Sequence, residues 1–193
     1  MSGDRLGILG GTFDPPHVGH LLAASDAVEA LRLDRLLFVP AGVQPFKAGA
    51  IVASGAQRLR MLELMTGTDP RFAVDPIEIE RGGVSYTVDT LSMMAAREPA
   101  ARRILLIGAD LAAQIGSWRE PARIAALAEI VVLARGADGA AEAALPVPVT
   151  RLATRRVDVS STEIRGRVRA GLPIRGFVTD AVADYIASAG LYR

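Results

Sequence analysis

Residues 10–20 read GGTFDPPHVGH and contain both histidines of the chain, His17 and His20. The stretch lies between an apolar, strand-like run from Leu6 to Leu9 and an amphipathic, helix-like run from Leu21 to Leu31. A glycine pair after a strand lets backbone N–H groups come close to a ligand, and a helix starting beside it adds a positive dipole end suited to phosphate. Two imidazoles are expected to point into the same crevice.

Outward from this stretch the chain alternates. Apolar runs with β-branched or aromatic content recur at Leu36 to Val39, Phe72 to Val74, Ile104 to Ile107, Ile130 to Leu133 and Val147 to Leu152. Helical spacing fills the gaps at Ala56 to Met65, Val88 to Arg97, Ile124 to Leu127, Thr162 to Ala170 and Ala181 to Ala187. Strands alternating with helices predict an α/β fold: a Rossmann-like, doubly wound, mostly parallel sheet with helices on both faces. Such a sheet binds ligands beyond its strand C-termini, where strand order reverses. Pro121 suits a first helical position, and Ser160 with Glu163 has capping-box spacing. Gly42 to Gly55 predicts a mobile loop near the site, and Gly136 to Pro148 a surface connection. There is no repeat and no interdomain linker, so residues 1–193 are expected to form a single domain.

With 193 residues, half of them apolar, the chain can bury a sizeable core. The longest apolar run, Ile124 to Ala134, is interrupted by Glu129 and falls short of the ~20 residues that cross a bilayer. Met1 to Leu9 lacks the features of a signal peptide. A net charge of +1 gives no global case for nucleic acid or membrane as partner. The chain has no cysteine, which removes disulfides and thiolate metal sites and fits a cytoplasmic protein. Lys47 is its single lysine.

With no cysteine and no third histidine, the imidazoles of His17 and His20 do not suit a zinc site, which wants three or four protein ligands; no protein-held metal is expected. Packing or helix capping is the bland alternative, weakened by the surrounding glycines, Phe13 and prolines. Imidazole N–H groups donate well to phosphoryl oxygens. A second anion cradle is SSTEIR, where Ser160, Ser161 and Thr162 open a helix and Arg165 lies one turn further on; alone it reads as a helix cap with a surface arginine. The helix begun by SYTVDTL, residues 85–91, offers free N–H groups to a carboxylate, and Trp118 offers a flat face to a heterocycle. Asp110 in the GAD at Gly108 could accept from ribose hydroxyls, or cap a helix.

Together these segments resemble a known family. GTFDPPHVGH fits GxFxPxHxGH, the signature of HxGH nucleotidyltransferases, and SSTEIR fits their SxTxxR element. SYTVDTL, GAD and Trp118 are similar to bacterial nicotinate mononucleotide adenylyltransferases in particular, and the likeness runs from Leu6 to Leu191 and Tyr192. The resemblance implies transfer of the adenylyl group of ATP to nicotinic acid mononucleotide by direct in-line attack, with pyrophosphate released. It implies that His17, His20 and Arg165 are catalytic, and that Gly10, Gly11, Thr12, Phe13, Gly19, Gly108, Asp110, Ser160, Ser161 and Thr162 help to bind ATP. Mg²⁺ is expected to ride on the ATP phosphates rather than in a protein cage. The mononucleotide would meet Tyr86 and Thr87 at its carboxylate and Trp118 at its ring, with Lys47 and Arg135 as phosphate ligands. Where the family often has a histidine before the basic residue, this chain has Phe46. Glu78 and Arg81 also match a family pattern, although an exposed ion pair on a strand end explains them equally well.

Rival expectations are a phosphopantetheine or other small-molecule adenylyl- or cytidylyltransferase and a catalytically silent nucleotide-binding module. An RNA-binding role for Arg151, Arg155, Arg156, Arg165, Arg167 and Arg169 is weaker, since stacking aromatics are few.

Overall fold

A strand buried on both faces needs apolar side chains at consecutive positions, and Leu36–Val39, Ile104–Ile107 and Ile130–Leu133 meet that condition. The computed structural model describes residues 4–43, 52–67, 69–135 and 145–193, with Arg135 described by its backbone alone. Its strands are β1 (Arg5–Gly11), β2 (Arg35–Pro40), β3 (Phe72–Val74), β4 (Arg102–Gly108), β5 (Glu129–Arg135) and β6 (Thr150–Thr154). They form one sheet in the order β3-β2-β1-β4-β5-β6. Every pair is parallel, with Ile8 opposite both Leu37 and Leu105, and Leu105 opposite Ile130. The helices are α1 (Val18–Leu31), α2 (Gly55–Thr66), α3 (Ile77–Arg81), α4 (Thr87–Arg97), α5 (Ala109–Ala112), α6 (Pro121–Leu127), α7 (Ser161–Arg169) and α8 (Asp180–Ser188), with a 3-10 turn at Ile115–Ser117.

The two-residue period of a strand divides these apolar runs between two layers. Leu36, Phe38, Leu106 and Val131 face Ala24 and Ala27 of α1, Met61 and Leu62 of α2, Ile164 of α7 and Val182 of α8. Leu37, Val39, Leu105 and Val132 face Val88, Leu91 and Met94 of α4 and Ile124 of α6. Full burial of one such side chain stabilises the fold by roughly 1.5–3 kcal/mol relative to exposure. Small residues let α1 lie close to the sheet: Ala24 and Ala27 are completely buried. Gly7 permits the same closeness from below, because a Cβ there would stand 2.5 Å from Leu33 Cδ1. After β1 the chain builds β2 and β3 on one side and β4 to β6 on the other. Strand order therefore reverses between β1 and β4, and the GGTFDPPHVGH segment leaves β1 at that crevice.

Some boundaries differ from expectation. The last strand is Thr150–Thr154 rather than Val147 to Leu152, since Pro146 and Pro148 have no N–H for a ladder. Val147 is buried in the second core layer, which corrects the expectation of a surface connection there; residues 136–144 lie outside the described residues. The expected mobile loop falls largely on residues 44–51, also outside them. Its far end is ordered structure: Gly55 opens α2, capped by Ser54, whose Oγ accepts from the Gln57 amide while Gln57 Oε1 accepts from the Ser54 amide. Helices α3 and α5 and the 3-10 turn are too short to show a period in sequence.

Candidate active site

β1 ends at Gly11, and the chain turns sharply before α1. Phe13 takes a left-handed φ of 51°, a conformation costly for a residue with a Cβ, and its ring is 2% exposed. That ring fills the place of a side chain at residue 11, since a Cβ on Gly11 would sit 2.8 Å from Phe13 Cζ. Gly11 therefore makes room for Phe13, whereas a Cβ on Gly10 would meet open space. The Phe13 ring then meets His20 edge-on, with centroids 5.0 Å apart.

His17 is the N-cap residue of α1, extended at φ −145° and ψ 170°. Its amide donates to His20 Nδ1 at 3.2 Å, and its carbonyl accepts from the His20 amide at 2.9 Å. The two imidazoles stack, centroids 3.7 Å apart and planes 28° from parallel. An accepting Nδ1 leaves the donor hydrogen of a neutral His20 ring on Nε2. A Cβ on Gly19 would stand 3.0 Å from His17 Nδ1, so a bare backbone at that position admits the ring.

The far segment of the chain meets this loop directly. Arg165 Nη1 donates to the Asp14 carbonyl at 2.8 Å and Nη2 to Thr162 Oγ1 at 3.3 Å. Its buried Nε has no hydrogen-bond partner among the described residues. Ser161 Oγ donates to the Pro15 carbonyl at 2.8 Å. Ser160 Oγ caps α7 by accepting from the Glu163 amide at 3.1 Å. Of the hydroxyls expected to face phosphate, those of Ser160, Ser161 and Thr162 thus hold the helix and fasten it to the histidine loop. The connection between α7 and α8 adds a further tie, for the Val18 amide donates to the Phe177 carbonyl at 3.0 Å.

Three residues important to this assembly escaped the sequence reading. Asp14, 2% exposed, accepts from the amides of Val52 at 2.8 Å and Ala53 at 3.0 Å and from the Tyr192 hydroxyl at 2.8 Å. Arg58, 3% exposed, donates from Nη1 to the Thr12 carbonyl at 2.9 Å. Burial pulls its guanidinium below the ordinary arginine range, and the carboxylates of Asp14 and Glu78 push back. Burial first, then the hydrogen bond to Asp14, hold the Tyr192 hydroxyl far above the ordinary tyrosine range, so it is a permanent donor. Asp14 lies inside the histidine stretch and Tyr192 at the limit of the family likeness, but nothing in a linear pattern says that they touch.

The second group of expected residues lies around the start of α4. Tyr86 is its N-cap residue and Thr87 its first. The approach to it is fastened to the exit of β2: Ser85 Oγ accepts from the Gly42 amide at 3.1 Å, and the Ser85 amide donates to the Val43 carbonyl at 2.8 Å. Gly42 has no room for a side chain, since a Cβ would stand 2.8 Å from both the Glu78 carbonyl and Ser85 Oγ. Trp118 follows the 3-10 turn and packs, half-buried like Tyr86, against the second core layer. Arg119 bridges the two neighbourhoods, its guanidinium 5.1 Å from the centre of the Tyr86 ring. Gly108 ends β4, and Asp110 does not cap α5 but folds back so that Oδ1 would stand 2.6 Å from a Cβ on Gly108. Glu78 is not part of an exposed pair on a strand end: it lies buried on α3 and accepts from Thr90 Oγ1 at 2.7 Å, to which Arg81 also donates at 3.3 Å. Lys47, Phe46 and the side chain of Arg135 lie outside the described residues.

Among the described residues, no group of three or more His, Cys, Asp or Glu side chains is placed to hold a metal ion. No helix among them is long and apolar enough to cross a membrane.

The chain is similar to known proteins over nearly its whole length. A family model described as cytidylyltransferase-like matches residues 8–167. The chain is 51% identical over 98% of its length to the "Probable nicotinate-nucleotide adenylyltransferase" of Gemmatimonas aurantiaca, covering 92% of that protein. It is 46% identical to the protein of the same name from Roseiflexus sp., across the whole of both chains. In fold it is similar to Plasmodium falciparum nicotinic acid mononucleotide adenylyltransferase complexed with NaAD, at a TM-score of 0.78 and 19% identity over 98% of this chain and 97% of that one. Matches of this extent mean that the chain belongs to the cytidylyltransferase-like family, among the nicotinate-nucleotide adenylyltransferases.

Proposed function

We propose that the protein transfers the adenylyl group of ATP to nicotinic acid mononucleotide, giving nicotinic acid adenine dinucleotide and pyrophosphate. The observation that carries this reading is the bond from Arg165 to the Asp14 carbonyl, which joins two anion-binding segments 151 residues apart. On this reading His17, His20 and Arg165 take the triphosphate, while Gly10, Gly11, Thr12, Phe13, Gly19, Gly108, Asp110, Ser160, Ser161 and Thr162 shape the ATP side of the pocket. Tyr86, Thr87 and Trp118 take the pyridine acid, with Lys47 and Arg135 on its phosphate.

A phosphate oxygen of the mononucleotide attacks the α-phosphorus of ATP in line, the new P–O bond forms, and the bond to the pyrophosphate oxygen breaks. No enzyme nucleophile takes part. Nucleotidyl transfer needs alignment and charge neutralisation, and alignment alone is worth roughly 7–11 kcal/mol. His20 Nε2–H and the Arg165 guanidinium supply donors where negative charge grows on the phosphoryl oxygens.

ATP as substrate implies a divalent metal, and we infer that it is Mg²⁺. The donor set suits a cation carried by phosphate, because the buried carboxylate within the loop, Asp14, is already taken by Val52, Ala53 and Tyr192. Carried on the triphosphate, such a cation would supply charge neutralisation there, with the protein contributing the donors of His17, His20 and Arg165. Residues 1–193 act as one domain on this reading, since the two anion segments share a pocket. The small-molecule substrates and the absence of cysteine support the cytoplasm as its place of work.

The test is pyrophosphate release from ATP and Mg²⁺ with nicotinic acid mononucleotide, its amide, or phosphopantetheine as acceptor. Fastest release with the acid supports the proposal. Release with phosphopantetheine alone overturns the substrate, and release with none makes the protein a silent nucleotide-binding module.

A further inference from the structure

The loop that carries the histidines is fastened from outside the crevice as well as within it. α8 ends in a turn in which the Gly190 amide donates to the Ala187 carbonyl and the Leu191 amide to the Ile186 carbonyl, with Gly190 at φ 62°. The turn swings Tyr192 inward at φ 66°, so that its ring is 3% exposed and its hydroxyl reaches Asp14 Oδ1 at 2.8 Å, with Met61 Sδ 3.9 Å away. Among the described residues, the Tyr192 hydroxyl is a side-chain hydrogen-bond donor to the Asp14 carboxylate, whose other donors include the Val52 and Ala53 amides, while Arg165 binds the Asp14 carbonyl. Tyr192 is therefore too buried to face a nucleotide, yet it holds the residue three positions before His17.

We propose that Tyr192 is a positioning residue for adenylyl transfer, acting through Asp14 on the placement of the His17 and His20 imidazoles. The inference rests on the reading of those imidazoles as phosphate donors. The hydroxyl sets one carboxylate oxygen of Asp14, and the loop from Thr12 to Pro15 is short enough that a shift at Asp14 is passed to His17, the cap of α1. The stacked rings move together, and donors displaced by an ångström from a phosphoryl oxygen lose much of their effect; misplacement on that scale costs up to ~100-fold in rate.

Because the chain has two histidines, its imidazole Cε1–H proton signals are two in number and report their positions without any substrate. In Tyr192→Phe, which removes one buried hydroxyl and keeps the ring, we expect at least one of these signals to move. We also expect kcat to fall about tenfold while the apparent KM for nicotinic acid mononucleotide stays unchanged. In a His20→Ala background the same substitution is expected to cost less than about twofold more, since neighbours acting through one group are not additive. Unmoved imidazole signals overturn the inference, as does an equal loss in both backgrounds. Should Tyr192→Phe not fold, Asp14→Asn reports on the same link from its other side: moved imidazole signals support it and unmoved ones overturn it. Failure of the underlying site reading looks different, namely full turnover in His20→Ala alone.

Discussion

In its neutral form an imidazole that accepts at Nδ1 carries its one N–H at Nε2, which is where the proposed function has His20 donate. His20→Ala should therefore lower turnover by at least ~100-fold, the scale of losing one charge-stabilising donor, measured as pyrophosphate released per enzyme. Trp118→Ala should raise the apparent KM for the mononucleotide about 3- to 10-fold with little change in kcat, the worth of one aromatic stacking contact. An unchanged KM would take Trp118 out of the substrate site. At this scale the histidine stretch was legible because glycines, imidazoles and a strand end lie side by side in sequence. Asp14, Arg58 and Tyr192 were not, because their partners lie far along the chain and a buried arginine looks in sequence like any surface one. The hydroxyls of Ser160, Ser161 and Thr162 were legible as a helix start, but their bonds to protein groups depend on where α7 docks.

Among elements, α7 is capped by one of the residues proposed to shape the ATP side of the pocket. Ser160 Oγ satisfies the Glu163 amide, so Ser160→Ala should destabilise the protein by about 1 kcal/mol in urea unfolding, the ordinary worth of such a cap. No loss of stability would show the cap to be replaced by water. The longer helices were legible because they carry an apolar period, and start signals at Pro121 and Ser160 marked α6 and α7. β6 was misplaced because the apolar character of Val147 and Val149 belongs to a buried connection, and prolines 146 and 148 keep that connection out of the ladder. The short helices α3 and α5 offered no period, and only tertiary packing places Glu78 inside.

Over the whole molecule, the alternation of strands and helices announced a doubly wound sheet, but strand order and the convergence of distant segments are properties of packing. One such long tie is electrostatic. Asp26 of α1 accepts from the Arg155 amide at 2.9 Å and pairs with its guanidinium at 2.6 Å, which with those hydrogen bonds holds the Asp26 carboxyl below its ordinary range. A carboxyl lowered in the folded state stabilises above its unfolded value, and the gain is lost as pH falls through the folded one. Asp26→Asn should thus lower the melting midpoint at pH 7, and the difference from the parent should close below about pH 4. A gap that persists in acid would assign the effect to packing. The bond between Asp14 and Tyr192 spans 178 positions, and it has a meaning for synthesis. A nascent chain emerging from the ribosome can pair β1 with β2 early, yet its histidine loop lacks this anchor until residue 192 has been added and cleared the exit tunnel. Partly made copies would accordingly carry both histidines without a pocket set to use them.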